Sequence, residues 1–329
     1  MNVKHGTAGT DVILGVLDDL NEIWGHGAGD NLTGGKADDT IRGGKGDDIV
    51  WGDRGNDTIV GNTGDDLLRG SVGNDLVAGG EGNDTLSGGK DDDALAGGKG
   101  DDYLDGNSGN DIIAGGSGND TVLGMSGNDW LYGGSGDDTI SGGTGDDVVL
   151  ASSGHDTMLG GEGFDTLDFS RIAGRVDIDL SKKTANLSFG SKVVTDAISG
   201  FEVIVGNDAG GSFKGDKAGQ EFIGGAGDDW FRGLGGSDKI TGGEGADTFA
   251  YLKKDTAGGA VDTITDFGLE YDTLNMRDFL KGHANYDQAV RFVDTGDSTM
   301  VQGMVKGHWT DVVQLEGVEA QDLGYAIFA

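Results

Sequence analysis

One nine-residue unit repeats without a break in phase from residue 25 to residue 168. A clean copy is Gly79-Gly80-Glu81-Gly82-Asn83-Asp84-Thr85-Leu86-Ser87, and sixteen copies follow one another. Position 6 is Asp in every copy: Asp30, Asp39, Asp48, Asp57, Asp66, Asp75, Asp84, Asp93, Asp102, Asp111, Asp120, Asp129, Asp138, Asp147, Asp156 and Asp165. Position 8 is always apolar, from Leu32 and Ile41 to Met158 and Leu167. A turn needs no such invariance, because Asn or Ser serves a turn as well as Asp does. Glycine fails at position 1 only at Ala151 and is replaced at position 4 by Ala28, Ala37 and Asp91.

A unit that buries one side chain in nine cannot build a core alone and has to stack on its neighbours, which is the logic of a solenoid. The three residues after each Asp, such as Thr85-Leu86-Ser87, read as a short strand whose middle side chain points inward and whose neighbours point outward. Six-residue loops alternating with three-residue strands predict a flattened coil of two parallel sheets with about eighteen residues per turn. Eight such turns, at roughly 4.8 Å between strands, give a length of about 38 Å. The fold class expected is all-β, a parallel β-roll solenoid.

Composition narrows the competitors. The 68 glycines follow no every-third-residue period and there is no proline, so collagen is excluded, and the regular apolar position argues against permanent disorder. The formal net charge of −35 makes the compact state repel itself unless cations sit among the carboxylates. The same charge disfavours nucleic acid and anionic membranes as partners. There is no cysteine, so no disulfide supports the fold. The N-terminus has no basic region leading into a long apolar run, which argues against a cleaved signal peptide. No segment reaches the length of apolar residues that spans a bilayer as a helix.

Residues 6–24 read as two imperfect copies of the unit, with Gly6, Gly9, Asp11 and Ile13 in positions 1, 4, 6 and 8. Degraded terminal repeats are expected where a solenoid closes an open end, so residues 1–24 are assigned as an N-terminal cap and 25–168 as the main roll. Residues 169–205 lose the period. Arg175-Val176-Asp177-Ile178-Asp179-Leu180 alternates as a strand, with 184–189 a candidate partner, in a connecting β segment. The nine-residue phase resumes over 206–250, a short second roll of five units. Gly211 and Gln220 stand where Asp belongs in the first two, and Asp229, Asp238 and Asp247 hold the place in the last three. Residues 251–329 form a C-terminal region with strand-like stretches such as Val261-Asp262-Thr263-Ile264 and Asp272-Thr273-Leu274.

These units resemble the RTX (repeats-in-toxin) nonapeptide, GGxGxDxUx with U a large aliphatic residue, of hemolysin-type calcium-binding repeat proteins that bacteria export by type I secretion. The resemblance implies a calcium-stabilised parallel β-roll. Each ion would sit between two stacked loops, taking one position-6 carboxylate from each and carbonyls from the glycine-rich stretches. Stacked loops are those of alternate repeats, for instance Asp48, Asp66 and Asp84, so the main roll would hold about fourteen Ca2+ ions. The implied ligands are the sixteen position-6 aspartates, Asp11 in the cap, and Asp229, Asp238 and Asp247. The C-terminal region is similar to the end-cap and export signal that follows the rolls of serralysin-type substrates, and the apolar end Tyr325-Ala326-Ile327-Phe328 fits that comparison. The expectation is a secreted, extracellular bacterial protein, recognised by the type I secretion machinery and folded by calcium once outside.

No catalytic constellation is present in the sequence. HExxH, GxSxG and GxxxxGK[ST] are all missing, and His5, His26, His155, His283 and His308 are scattered. The chain is therefore read as a non-enzyme acting in matrix or biofilm, adhesion or self-assembly. Two alternatives stand beside this. One is a calcium-dependent protein that inserts in membranes and passes cations; the other is a polysaccharide-binding accessory module, with Arg42, Arg54 and Arg69 as the residues to watch. Sorted by alternate repeats, the outward positions give one mixed face and one apolar face, the latter carrying Leu76, Ala94, Ile112, Trp130, Tyr132 and Val148. A continuous apolar face marks a contact, either with another part of this chain or with a partner at the cell surface, in the matrix or in a second copy.

Overall fold

The computed structural model describes residues 2–256, 258–324 and 328. Two compact units divide the chain, Met1–Leu167 and Asp168–Ala329. Both are built from parallel β-coils, and the chain is an all-β solenoid with a single four-residue α-helix, Arg277–Leu280, among the described residues.

In the first unit each strand pairs in parallel with the strand two places along. Thr85–Lys90 lies between Leu67–Val72 and Tyr103–Ser108 in one sheet, while Ala94–Lys99 lies between Leu76–Glu81 and Ile112–Ser117 in the other. The stagger is eighteen residues, one coil. Position 8 forms the inner column: Leu32, Ile41, Val50, Leu86 and Leu131 are fully buried, and every other member from residue 32 to residue 167 is buried as well. Burying a Leu or Ile side chain stabilises by about 1.5–3 kcal/mol, so this one column supplies most of the unit's apolar driving force.

Most strands are six residues long, not three. They run through positions 7, 8, 9, 1, 2 and 3, and only positions 4 to 6 form the turn. The ladder survives the glycine pair because position 2 takes a left-handed backbone, Gly89 having φ of 127°, while its neighbours stay in register, Gly89 against Asn107 and Lys90 against Ser108. Glycine's low strand propensity hides this in the sequence. At the N-terminus Asn2–His5 pairs with Asn21–Gly27 in parallel, placing Lys4 opposite Ile23. There its ammonium donates to the carbonyl of Leu14. In this sheet the inner column thus ends on Lys4, whose ammonium donates to a backbone carbonyl where the next coil would otherwise stack.

The second unit opens with an antiparallel meander, Arg175–Asp179, Thr184–Phe189 and Lys192–Ser199. Arg175–Asp179 then starts a parallel row continued by Gly211–Lys214, Trp230–Arg232, Thr248–Ala250 and Thr273–Asn275. The opposing row holds Val203–Val205, Glu221–Gly225, Lys239–Gly243 and Asp262–Ile264, and closes on His308–Glu316. Two strands, Asp262–Ile264 and Thr273–Asn275, carry the coil past the last nonapeptide. Phenylalanines replace the aliphatic column here: Phe213, Phe231 and Phe249 stack with ring centroids 5.0 and 5.4 Å apart. Val290–Asp294, Ser298–Val305 and His308–Glu316 form an antiparallel sheet at the end. Tyr325, Ala326 and Ile327 of the apolar terminus lie outside the described residues.

Candidate metal centre

The turn at positions 4 to 6 brings the aspartates into two columns, one along each edge of the first unit. In each, the backbone N–H of one Asp donates to Oδ1 of the Asp one coil further on. Asp48 N–H meets Asp66 Oδ1 at 2.7 Å, Asp84 meets Asp102 at 2.8 Å, and Asp129 meets Asp147 at 2.8 Å. Asp48, Asp66 and Asp84 stand in one column, as the alternation of repeats predicts. The other column opens on Asn21, whose N–H donates to Asp39 Oδ1 at 2.6 Å, and then runs through Asp57.

The second carboxylate oxygen has a different fate. From Asp30 through Asp147, at every ninth residue, Oδ2 is buried and has no hydrogen-bond partner among the described residues. A buried, unpaired carboxylate oxygen is among the most expensive groups a fold can hold. Burial accordingly pushes Asp57, Asp66, Asp93, Asp102 and Asp129 up to about 7, and Asp48, Asp75, Asp111 and Asp138 up to about 6. The N–H on Oδ1 pulls each of them down but does not overcome burial.

The surroundings of Oδ2 are rich in oxygen. A Cβ at position 1 would overlap Oδ2 of its own unit's Asp and press on the carbonyl of the position-1 glycine one coil on. At Gly61 these are Asp66 Oδ2 and, 2.8 Å away, Gly79 O; at Gly97 they are Asp102 Oδ2 and, 2.6 Å away, Gly115 O. Carboxylate and carbonyl oxygens therefore border one small space that only glycine leaves open. Among the described residues no three His, Cys, Asp or Glu side chains gather to hold a metal, so backbone carbonyls have to complete any coordination shell. A hard, all-oxygen donor set with one carboxylate per loop fits calcium and does not fit a metal that wants nitrogen or sulfur.

The cap and the ends of the columns differ. Asp11 donates its N–H to Asp30 Oδ1 at 2.7 Å, but its own Oδ2 accepts from Thr7 N–H at 2.6 Å and Thr7 Oγ1 at 3.0 Å. Asp156 Oδ2 accepts from Ser152 Oγ at 3.1 Å, and Asp165 Oδ1 accepts from Asp147 N–H at 2.9 Å. In the second unit Gly211 and Gln220 keep the backbone half of the pattern, donating to Asp229 and Asp238 at 2.6 and 2.8 Å. Asp229, Asp238 and Asp247 all carry a buried Oδ2 without a hydrogen-bond partner among the described residues.

Three features escape the sequence reading. The columns of the second unit continue into Asp262 and Asp272, which accept from Asp238 and Asp247 N–H at 3.0 and 2.9 Å. Burial and the adjoining Asp238 carboxylate push Asp262 well above the usual carboxylate range. The signal was present, since Asp262-Thr263-Ile264 and Asp272-Thr273-Leu274 repeat the grammar of Asp84-Thr85-Leu86, but at spacings of 24 and 25 residues. Secondly, position 5 forms a ladder of its own. Its Asn or Asp side chain accepts the position-5 N–H one coil further on, as in Asn83 to Asp65, Asp101 to Asn83 and Asn119 to Asp101 at 2.7–2.8 Å. These side chains are exposed and point along the roll in the direction opposite to the position-6 carboxylates. The third is the placing of the arginines: Arg42 is in the sheet of Thr40–Lys45, whereas Arg54 and Arg69 are in the sheet of Ile49–Arg54 and Leu67–Val72.

No curated protein is matched. Among solved structures, the extracellular lipase LipA from Serratia marcescens aligns at 16% identity with a TM-score of 0.21, over 84% of this chain and 45% of the lipase, so the chain spans under half of that protein's length. The profile of the RTX calcium-binding nonapeptide repeat matches residues 24–59, 51–86, 60–95, 87–122, 114–149, 132–167 and 221–250. Those segments cover more than half of the chain, and with a β-solenoid bearing the expected carboxylate columns they make it a member of the RTX family of calcium-binding nonapeptide repeat proteins.

Proposed function

We propose that this chain is a secreted, non-enzymatic protein whose folding is controlled by calcium, with the position-6 aspartates from Asp30 to Asp147 and Asp229, Asp238 and Asp247 as ligands. The observation that carries the reading is the rank of buried Oδ2 atoms without hydrogen-bond partners among the described residues, most of them bordering, with a glycine carbonyl of the next coil, the space that the position-1 glycine leaves open. One ion per gap between stacked loops gives about fourteen in the first unit. Asp11 drops out of the ligand set, because Thr7 occupies its free oxygen. Without cations these carboxylates repel along the columns and are desolvated, so the unfolded chain is favoured where calcium is scarce. That state suits export by a type I system, which takes unfolded chains, and the chain folds in the calcium-rich exterior.

The mode of action outside the cell is association through the apolar sheet face. Register places Leu76, Ala94, Ile112, Trp130 and Val148 in one rank and Ala78, Ala96, Ala114, Tyr132 and Leu150 in another. Leu76, Ile112 and Trp130 are 51, 62 and 53% exposed and follow one another along one rank, a run of apolar side chains open to water, while Leu150 at the end of the other rank is 8% exposed. Light scattering across a calcium titration tests both halves of the proposal. The chain is expected to contract as calcium folds it and then to gain mass; contraction without gain in mass overturns association, and no contraction overturns calcium-driven folding.

A further inference from the structure

In a chain with 58 acidic residues, one cavity gathers cations. It has a volume of about 320 Å3 and lies on the sheet of Asn21–Gly27, Thr40–Lys45 and Thr58–Thr63, lined by Trp24, His26, Arg42, Lys45, Asn62 and Thr63 over the floor of Gly43 and Gly44. Its origin is a gap in a cross-strand rank. His26, Gly44 and Asn62 are in register, and the middle strand contributes no side chain, so a notch opens between imidazole and amide.

The walls are polar and mutually fixed. The Arg42 guanidinium lies over the Trp24 ring, 4.5 Å from its centroid. Trp24 and His26 stack at 6.1 Å, and His5 Nδ1 and His26 Nε2 are 3.2 Å apart. One terminal nitrogen of Arg42 is buried without a hydrogen-bond partner among the described residues. The nearest carboxylate in an ion pair with it, Glu22 Oε1, is 3.8 Å away, beyond hydrogen-bonding distance. Among the residues lining the notch there is no carboxylate. A planar guanidinium held flat on an indole, its side chain 34% exposed and its buried nitrogen only loosely paired with Glu22, with a lysine beside it, suits recognition of an oxyanion. The volume exceeds what a bare oxyanion fills, and Asn62 and Thr63 add groups that bond hydroxyls.

We propose that this notch binds an acidic sugar residue: a ring-sized, hydroxylated ligand carrying one oxyanion that bonds Arg42 and Lys45. The oxyanion is either the carboxylate of a uronic acid or the sulfate of a sulfated sugar. Calorimetry on the full chain in 10 mM calcium, with glucuronate, glucose 6-sulfate, glucose and acetate as probes, tests the assignment and distinguishes the two sources. At least one acidic sugar is expected to bind about tenfold more tightly than glucose or acetate. Lys45→Gln and Arg42→Gln are each expected to weaken it about tenfold, a charge-assisted hydrogen bond being lost, while Arg69→Gln on the other sheet leaves it unchanged. Lys45 is exposed, so its substitution leaves folding intact even if Arg42→Gln disturbs the stack on Trp24. Equal binding of glucose or acetate, binding insensitive to Lys45→Gln, or no binding of either acidic sugar overturns the proposal.

Discussion

Asp101 and Asp102 are neighbours of the same type, and the structure assigns them opposite roles. Asp102 turns its unpaired Oδ2 inward, whereas Asp101 lies outside and accepts Asn119 N–H at 2.7 Å. The same contrast holds at Asp65 and Asp66 and at Asp137 and Asp138. Changing Asp66, Asp102 and Asp138 together to Asn keeps the Oδ1 acceptor but removes three charged oxygens from one column. Each of the three borders two gaps, so six sites lose one of their two carboxylates; at about half of a site's 1.4–2.7 kcal/mol (site constants of roughly 0.1–1 mM, about 10 mM calcium) the loss is about 4–8 kcal/mol. Spread over about fourteen sites, that raises the calcium concentration at half-folding about two- to threefold. Changing Asp65, Asp101 and Asp137 to Asn alters net charge by the same amount but keeps the outer ladder, as Asn83 already does for Asp101. The expected shift is near zero. Calcium titrations followed by far-ultraviolet circular dichroism give both midpoints. Equal shifts for the two triple variants refute the assignment of ligands by position.

Three further outcomes follow from the same geometry. Gly61→Ala drives a Cβ into Asp66 Oδ2 and to within 2.8 Å of Gly79 O, and is expected to destabilise the calcium-loaded roll by about 1–3 kcal/mol in chemical denaturation. In chelator, the raised aspartates make folding favour acid. The stabilisation from Asp57, Asp66 and Asp93 is complete below their ordinary 3.8 and is lost as pH rises through about 7, so sheet content in chelator should grow as pH falls from 7.5 to 4.5. Calcium displaces those protons rather than adding to them, so at pH 4.5, where acid already favours the folded chain, calcium should add less sheet content than at pH 7.5. Ile112→Asp with Trp130→Asp should leave the dichroism spectrum in calcium unchanged and abolish the gain in mass by light scattering; unchanged assembly would exclude this face as the contact.

The sequence made the inner column and the edge columns legible because each rests on one residue type at one offset, which nine-residue phase alone determines. Strand length was not legible: glycines at positions 1 and 2 read as loop, yet Gly88 and Gly89 continue the strand of Thr85–Lys90. The position-5 ladder was hidden because Asn and Asp mix irregularly there and either oxygen serves, so no invariance announced it. Asp262 and Asp272 fell outside the period because the coils that reach them are longer, although their local grammar is that of the repeat. Lys192–Ser199 was missed since nothing local specifies a third strand; its place is set by pairing with Thr184–Phe189. The cationic notch depends on which residues become neighbours across coils eighteen apart, and on the absence of a side chain at Gly44 between two polar ones.

Calcium bound between stacked loops is proposed to decide whether this chain folds. Far-ultraviolet circular dichroism of the full chain, first in chelator at pH 7.5 and then in 10 mM calcium, tests it most directly. The expected result is a largely unfolded spectrum that converts cooperatively to β-sheet on adding calcium and reverts on chelation. Equal sheet content in the two conditions would contradict it.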